Sequence, residues 1–102
     1  MPFVYILKCR DGTLYTGSAK LLEARLRAHQ AGKGARYTRG RLPVTLVWHT
    51  ETDTWSAALK LEYRIKSLDR TAKNALIRGE ISGPVALLIG RAVGASGDDA
   101  AG

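Results

Sequence analysis

The sequence has little of what would tie a small domain together covalently or hold it in a bilayer. Cys9 is the single cysteine among 102 residues, which excludes an internal disulfide and any site built from several cysteines. No apolar run approaches the roughly 20 residues that cross a bilayer. The N-terminus MPFVYILKC has no basic region ahead of its apolar stretch. We therefore expect a cytoplasmic protein without membrane contacts, with Cys9 as a small core residue.

Acidic residues are also scarce. Nine Asp and Glu stand against sixteen Lys and Arg, which leaves a net charge of +7. Two of the nine acids, Asp98 and Asp99, lie in the C-terminal stretch GASGDDAAG. A basic surplus favours a polyanionic partner, because each phosphate that a Lys or Arg neutralises releases condensed counterions. A basic surface can also serve solubility alone. The charge therefore points to nucleic acid without excluding the simpler explanation.

The length and composition predict one globular domain. A chain of 102 residues that is 45% apolar and 25% charged suits a single hydrophobic core. We assign residues 1–93 to this domain, with its core over about residues 3–80. Residues 94–102 are rich in Gly, Ala, Ser and Asp and bury too little apolar surface to offset the entropy of ordering, so we expect a disordered tail.

Two runs typical of β-strands, residues 3–9 and 13–18, flank the turn sequence RDGT and carry one tyrosine each, Tyr5 and Tyr15. Side chains alternate along a strand, so the length of the loop decides whether the two tyrosines share a face. A two- or four-residue loop places them on opposite faces. A three-residue loop places them on the same face.

The three-residue loop has favourable turn chemistry. A loop of residues 10–12 would form a type I turn closed by a left-handed residue, and Gly12 stands where φ > 0 is needed. It would pair Tyr5 with Gly17 and put Tyr15 on the same face. Asp-Gly also suits a two-residue turn, so the shared face is an expectation.

Residues 20–30, KLLEARLRAHQ, are rich in good helix formers and predict a helix. Leu22 and Leu26 lie four positions apart and supply its core contact. Arg25 and His29 have the same spacing, so they project from one face beside the apolar stripe.

The densest basic stretch follows in GKGARYTRGRLP, which we predict to be a loop. Its charges surround one aromatic ring and suggest phosphate contacts with a stacking platform. The simpler alternative is a solvated loop whose tyrosine packs on the core. The candidate nucleic-acid-binding residues are Lys33, Arg36, Tyr37, Arg39 and Arg41.

The second half predicts a strand over residues 44–49 and a helix from Thr54 to Leu68 capped by Asp53. A second cap at Asp69 starts a short helix that ends at Gly79, and Pro84 begins a last short helix. The order is β-β-α-β-α-α, an α+β fold with a small three-stranded antiparallel sheet flanked by helices. The buried stripe of the long helix is Ala58, Leu61, Ile65 and Leu68.

Taken in order, these residues resemble the GIY-YIG nuclease superfamily and, more closely, its small stand-alone YhbQ-type branch. The first motif reads Phe3-Val4-Tyr5 and the second Tyr15-Thr16-Gly17, with Phe3 in place of glycine and Thr16 in place of isoleucine. Arg25 and His29 match the Arg-x-x-x-His helix. Glu62, within LEYRIKSL, matches the metal-binding glutamate, and AGKGARYTRGR matches a loop typical of the branch. The resemblance covers about residues 3–80.

The resemblance implies a metal-dependent endonuclease that hydrolyses phosphodiester bonds of DNA, with one Mg²⁺ or Mn²⁺ on Glu62. Tyr5 would activate the water as a phenolate favoured by nearby cations and the metal, and Tyr15 would orient the water or bind phosphate. Arg25 would hold a phosphate oxygen, and His29 would bond the phosphate or relay a proton.

Each of these residues also has a plainer interpretation. Strand tyrosines usually pack, and Glu62 can pair with Lys66 one turn on. No helix carries base-reading side chains, so we expect selection by substrate structure rather than sequence. The alternatives are a nucleic-acid-binding module that keeps the fold without turnover, and a protein-interaction domain with incidental charge.

Overall fold

The computed structural model describes residues 1–79, which form a three-stranded antiparallel sheet flanked by helices. The strands are β1 (Phe3–Lys8), β2 (Leu14–Ala19) and β3 (Thr45–Glu51). Their order in the sheet is β2-β1-β3, so β1 is central and pairs with both neighbours. The α+β prediction is confirmed. The predicted helix at Pro84, the tail and the domain limit at residue 93 lie outside the described residues. The helices are α1 (Leu22–Gln30) and α2 (Arg36–Arg39), which lie between β2 and β3 in the chain, and α3 (Trp55–Lys66) and α4 (Arg70–Ile77), which follow β3.

The β1-β2 hairpin has the predicted three-residue loop. The amide of Cys9 donates to the Thr13 carbonyl at 2.8 Å, and the Gly12 amide donates back to the Cys9 carbonyl at 2.9 Å. Gly12 takes φ +85°, the left-handed region that glycine enters without steric cost. The resulting register pairs Tyr5 with Gly17. The expected register is therefore confirmed.

The sheet separates two hydrophobic cores, because alternate side chains of β1 point to opposite faces. Val4 and Ile6 face α3 and α4, whereas Tyr5 and Leu7 face α1 and the segment that carries α2. Cys9 is buried in the second core, as expected for a small core residue. The first core is completed by Ala58, Leu61, Ile65 and Leu76, and the second by Ala19, Val44 and the partly buried Tyr15, Leu22 and Leu26.

The helix starts correct two predictions. The cap of α3 is Thr54, whose hydroxyl accepts from the Ala57 amide at 3.0 Å, so the assignment to Asp53 was wrong by one residue. The start of α1 was also predicted too early. The chain is still extended at Leu21, which offers no side-chain acceptor, and the helix begins at Leu22. Asp69 does cap α4, accepting from the Ala72 amide at 2.8 Å.

Two further boundaries differ from the prediction. The stretch expected to be a loop contains the single-turn helix α2, which begins after the extended residue Ala35. β3 spans Thr45–Glu51 rather than residues 44–49, and His49 pairs with Tyr5. Leu68 is only half-buried, beyond the end of α3. No helix within residues 1–79 has the length and apolar character needed to span a membrane.

Candidate active site

A buried chain of hydrogen bonds links the first strand to the short helix α2. The Tyr5 hydroxyl lies 2.9 Å from His29 Nε2, and His29 Nδ1 lies 2.9 Å from Thr38 Oγ1. The Thr38 hydroxyl in turn donates to the Ala35 carbonyl at 3.0 Å. Tyr5, His29 and Thr38 are all fully buried. Each polar atom of this chain therefore has a protein partner in place of water.

The last hydrogen bond of this chain fixes the direction of the others. Thr38 has one hydroxyl proton, and that proton goes to Ala35, so Thr38 accepts from His29 Nδ1–H. A neutral imidazole protonated at Nδ1 has its lone pair at Nε2. Tyr5 therefore donates to His29 Nε2. The arrangement is a directed path for a proton from Tyr5 to His29.

Burial shifts both titrating groups of the chain towards their neutral forms. Burial raises the pKa of the Tyr5 hydroxyl; the Arg25 guanidinium opposes this shift, and the charges of Tyr15 and Glu62 add to it. Burial also lowers the pKa of His29, and the positive charge of Arg25 lowers it further. In the protein alone Tyr5 is therefore a neutral phenol; the expected phenolate was one that a bound metal as well as nearby cations would favour.

Two glycines make room for the rings of the hydrogen-bonded residues Tyr5 and His29. A Cβ at Gly17 would lie 2.6 Å from the Tyr5 hydroxyl oxygen and 3.0 Å from the Tyr15 ring. A Cβ at Gly34 would collide with Nδ1 of His29. The backbone therefore forms part of the wall of the site at both positions, and only glycine leaves enough space.

Tyr15 joins the cluster by ring contacts rather than by a hydrogen bond. Its ring packs edge-on against His29, with centroids 5.4 Å apart, and lies 6.4 Å from the Tyr5 ring. On its other side it stacks on Tyr37 at 6.1 Å, with 21° between the ring planes. The two tyrosines thus share one face of the sheet, and Tyr37 extends the aromatic cluster to the surface.

Arg25 lies next to the Tyr5–His29 pair and has spare hydrogen-bonding capacity. Its charge acts on the pKa of both residues, which places the guanidinium within electrostatic reach of them. Within residues 1–79, its Nε is the one buried side-chain nitrogen or oxygen that lacks a hydrogen-bond partner. Arg25 also lines an open cavity of about 570 Å³ beside β2, together with Ser18, Ala19, Lys20, Leu21, Ala24, Ala28 and Trp55. An anion entering this cavity would therefore meet the side chain of Arg25 in its wall.

Glu62 lies at the edge of this cluster rather than inside it. Its Oε1 accepts from the Ser18 hydroxyl at 2.5 Å, and its Oε2 pairs with Lys66 Nζ at 2.8 Å. The pairing with Lys66 is the plainer interpretation that we set beside the catalytic one. The carboxylate nevertheless contributes to the raised pKa of Tyr5, and its partner Ser18 lines the same cavity as Arg25.

A comparison with known proteins places these residues in a family. The GIY-YIG catalytic domain matches residues 1–75. The chain belongs to the GIY-YIG family. Curated relatives agree: it is 53% identical over 79 residues to a UPF0213 protein of Natronomonas pharaonis, covering 76% of this chain and 92% of that one. It is 52% identical over 75 residues to a UPF0213 protein of Staphylococcus saprophyticus, covering 74% and 92%.

Two similar proteins of known structure share the fold. The solution structure of the UPF0213 protein BH0048 from Bacillus halodurans is 41% identical, with a TM-score of 0.52, and covers 82% of this chain and 89% of that one. The solution structure of the protein EF2693 from E. faecalis is 35% identical with a TM-score of 0.53, and covers 76% and 82%. The GIY-YIG family is a nuclease superfamily whose members generally use a divalent metal, and the family implies a nucleic-acid substrate.

A divalent ion could be held in this GIY-YIG domain only by few protein ligands. No cluster of three or more His, Cys, Asp or Glu suited to a metal occurs in the described part of the chain. Mg²⁺ is commonly held by one or two carboxylates, with waters and substrate phosphates as its other ligands. Glu62 meets that requirement: one oxygen is oriented by Ser18, and the other is bound only by the half-exposed ammonium of Lys66.

The predicted basic residues are divided in their roles. Arg41 is held in the structure, since its Nε pairs with Asp11 at 3.0 Å and its Nη1 donates to the Tyr37 carbonyl at 2.8 Å. Its guanidinium also lies 4.0 Å from the centre of the Tyr37 ring. Lys33, Arg36 and Arg39 are exposed and have no carboxylate partner among residues 1–79. These three remain candidates for phosphate contact.

The residues that the sequence did not single out are the supports of the site. Thr38, Gly34 and Ser18 each touch a predicted site residue. Thr38 lies within the stretch GARYTRG that drew attention for its charge, and no spacing rule connects it to His29 nine residues earlier. The second motif placed Gly17 beside the tyrosines, and the structure gives the physical reason for that glycine.

Proposed function

We propose that this chain is a metal-dependent endonuclease that hydrolyses phosphodiester bonds of DNA and selects substrate structure rather than sequence. The observation that carries the proposal is the buried path from Tyr5 to His29 beside the unpaired Nε of Arg25. A structural role for the tyrosine would not require a cation with an unused donor next to it. Hydrolysis of a phosphodiester requires both an acceptor for the proton of water and a fixed positive charge on phosphate.

The proton of the attacking water would pass along the buried path. Tyr5 is a neutral phenol that donates to His29, so its oxygen can accept a proton from water as its own proton moves to Nε2. His29 is neutral near pH 7, because burial and Arg25 lower its pKa. The resulting imidazolium keeps its Nδ1–H on Thr38. The base in this scheme is the Tyr5–His29 pair, and no free phenolate is needed.

Arg25 would bind a phosphate oxygen in the cavity of about 570 Å³. Its guanidinium keeps its charge at any working pH and presents a planar fork of donors. Tyr15, held between His29 and Tyr37, would orient the water or the phosphate with its hydroxyl. Both residues act on charge that increases in the transition state, which is where such interactions accelerate a reaction.

Glu62 would hold one Mg²⁺ or Mn²⁺ through Oε2. Lys66, which pairs with that oxygen, would have to move away. Such an ion would supply positive charge for the phosphate and Lewis acidity for the leaving oxygen. Ser18 keeps the carboxylate in a fixed orientation through its hydrogen bond to Oε1. Such second contacts set the geometry of a ligand and commonly matter for metal affinity.

Selection by substrate structure follows from the kind of contacts available. The exposed cations Lys33, Arg36 and Arg39 and the cavity residue Arg25 suit phosphates, and phosphate contacts carry no sequence information. The helices described are at most the 12 residues of α3, which packs one face on the sheet. We infer no recognition helix that reads base edges, because the contacts on offer are charges for phosphates rather than a set of side chains matched to bases.

A binding module without turnover is the second candidate, and the pairing of Glu62 with Ser18 and Lys66 is the observation that favours it. One assay separates the two. Purified protein is incubated with duplex, flapped, branched and single-stranded DNA, with Mg²⁺, Mn²⁺ or EDTA. We expect metal-dependent cutting that Glu62→Ala, Tyr5→Phe and Arg25→Ala each reduce by about 100-fold or more, within the range for single catalytic groups.

The matched control is Glu23→Ala, which removes an exposed carboxylate from α1 and should leave cutting unchanged. Binding is measured for the same variants by anisotropy in EDTA. The binding module would be selected if neither the wild type nor any variant cuts DNA while Glu62→Ala still binds with wild-type affinity. Cutting that is equal in wild type and Tyr5→Phe would defeat the enzyme assignment.

A further inference from the structure

The outer face of α3 carries three large side chains that the core does not use. Trp55, Leu59 and Tyr63 are 39%, 46% and 74% exposed. They follow one another at intervals of four, so they form one stripe along the helix. The stripe lies in a groove of about 600 Å³, lined by Trp55, Ser56, Leu59, Lys60, Tyr63 and Arg64. We call these six residues the α3 groove. Exposed apolar residues gathered in one groove usually mark an interaction site.

The charges of the α3 groove are all positive. Lys60 and Arg64 line it, and its other four residues carry no charge. Neither cation has a carboxylate partner in residues 1–79, whereas Lys66 on the same helix is paired with Glu62. Rings flanked by unpaired cations are the combination that single nucleic-acid strands bind, since bases stack and phosphates need neutralising.

The α3 groove adjoins the cavity of the candidate active site at Trp55. Trp55 lines both of them, and the second cavity also contains Arg25 and Ser18. Lys20 Nζ lies 5.7 Å from the centre of the Trp55 ring, which adds a cation at the junction. A strand whose phosphate lies at Arg25 would therefore need to pass only Trp55 to reach α3.

We propose that the α3 groove binds an unpaired stretch of the DNA strand that adjoins the cut, with bases stacked on Trp55 and Tyr63. This deepens the proposed nuclease function and rests on it. Eight residues of helix separate the two rings by about 12 Å, which matches three to four stacked nucleotides at about 3.4 Å each. Paired bases do not offer their faces, so the groove would favour flapped or single-stranded substrates over closed duplex.

Charge also argues against a second copy of the chain as the occupant. A symmetric dimer would bring Lys60 and Arg64 of both copies to one interface, where like charges repel. A nucleic-acid strand would instead bring phosphates, which would neutralise these cations.

The test uses the full chain with Trp48→Phe, which leaves Trp55 as the only tryptophan. This variant is titrated with a thymidine octamer and with a closed hairpin duplex, in EDTA so that no cutting takes place. We expect the octamer to quench Trp55 emission and the duplex to leave it nearly unchanged. Adding Tyr63→Ala should weaken octamer binding by about 10-fold, the loss expected for one stacked base. Adding Tyr63→Phe keeps the ring and should preserve the affinity.

Octamer affinity that is the same with Tyr63→Ala and Tyr63→Phe would overturn the inference, and so would equal quenching by octamer and duplex. Self-association that Tyr63→Ala abolishes would assign the groove to a second copy instead. Tyr63 is 74% exposed, so its removal should leave the fold intact, which circular dichroism checks. Cutting assays keep the two proposals apart: Tyr63-dependent binding without cutting rejects the nuclease, whereas cutting without Tyr63-dependent binding rejects the groove.

Discussion

At the scale of single residues, the buried hydroxyl of Thr38 determines which nitrogen of His29 carries the proton. Its own proton is used on the Ala35 carbonyl, so it can only accept from Nδ1–H. Nε2 is then left as the acceptor that faces Tyr5. A side chain that never meets the substrate thus sets the direction of proton movement in the proposed reaction.

Thr38→Val tests this role, because valine keeps the shape of threonine and removes the hydroxyl. The Nδ1–H of His29 would lose its acceptor, which should lower the free energy of unfolding by about 1–3 kcal/mol. Cutting should fall by about 10- to 100-fold, as the imidazole is no longer held in one tautomer and orientation. Thr38→Ser retains the hydroxyl and serves as the control. ¹⁵N NMR of the His29 ring should show the Nδ1–H tautomer in wild type and Thr38→Ser, and a mixture in Thr38→Val.

The lowered pKa of His29 predicts a pH dependence of stability. The folded protein disfavours the imidazolium, whereas the unfolded chain protonates near the reference value of about 6.5. The unfolded state therefore binds more protons below that pH, and the free energy of unfolding should fall as the pH decreases from about 6.5. One proton gives at most about 1.4 kcal/mol per pH unit.

Urea unfolding at pH 7.5, 6.5 and 5.5 measures this slope. His29→Gln should remove it, and His49→Gln should retain it because His49 is exposed. Asp11 titrates at lower pH, since hydrogen bonds from Thr13, and then Arg41, lower the pKa of its carboxyl. A slope that is unchanged in His29→Gln would contradict the assignment.

The sequence predicts the members of the site better than their supports. Arg25 and His29 lie one helical turn apart, and that spacing is enough to place them on one face. The contact of His29 with Thr38 depends on a chain reversal at Gly32, which takes φ +76°, and no local pattern fixes where that reversal leads. For the same reason the pairing of Arg41 with Asp11, 30 residues apart, was not foreseen.

At the scale of elements, the turn between β1 and β2 decides where the tyrosines point. A loop one residue shorter or longer would turn one tyrosine to the opposite face of the sheet. The turn chemistry at Gly12 was legible in the sequence, which is why the register could be predicted. The single-turn helix α2 was not, because four helical residues within a basic stretch leave no periodic pattern to detect.

Gly17→Ala tests how tightly β2 is fitted to the site. The new methyl would lie 2.6 Å from the Tyr5 hydroxyl oxygen, so Tyr5 or β2 must shift. Overpacking of this kind costs about 1–3 kcal/mol of stability, and displacement of Tyr5 should reduce cutting by at least about 10-fold. Gly40→Ala is the matched control, since nothing lies within 4 Å of the added methyl. Thermal unfolding and cutting rates that are equal for the two variants would refute the proposed fit.

For the whole molecule, the net charge of +7 predicts binding that weakens with salt. Lys33, Arg36 and Arg39 are the exposed cations of the predicted basic stretch that have no carboxylate partner in the described residues. The slope of log K against log salt is negative. Replacing all three with alanine should make it shallower by about 0.9 for each phosphate that is no longer neutralised. Affinity for duplex is measured by anisotropy between about 50 and 200 mM salt, a range over which phosphate-dependent binding changes strongly.

Lys8→Ala is the control for this experiment, since Lys8 is an exposed cation at the end of β1, on the sheet face opposite Tyr5. It should leave the slope unchanged. Arg41 is unsuitable for the triple variant because its replacement would also break the ion pair with Asp11. A triple variant with the wild-type slope would move the nucleic-acid contact away from this stretch.

The central position of β1 has one more consequence, for how the molecule can open. Four consecutive residues of that strand are fully buried, two in each core, and both neighbouring strands bond to it. The strand that carries Tyr5 therefore contributes to both hydrophobic cores, and it cannot detach while the rest of the domain stays folded. Amide exchange at Tyr5 should then proceed only by complete unfolding, as slowly as the most protected amides of the chain. Motion during turnover would have to be confined to the periphery, to α2 and to the edge strand β2.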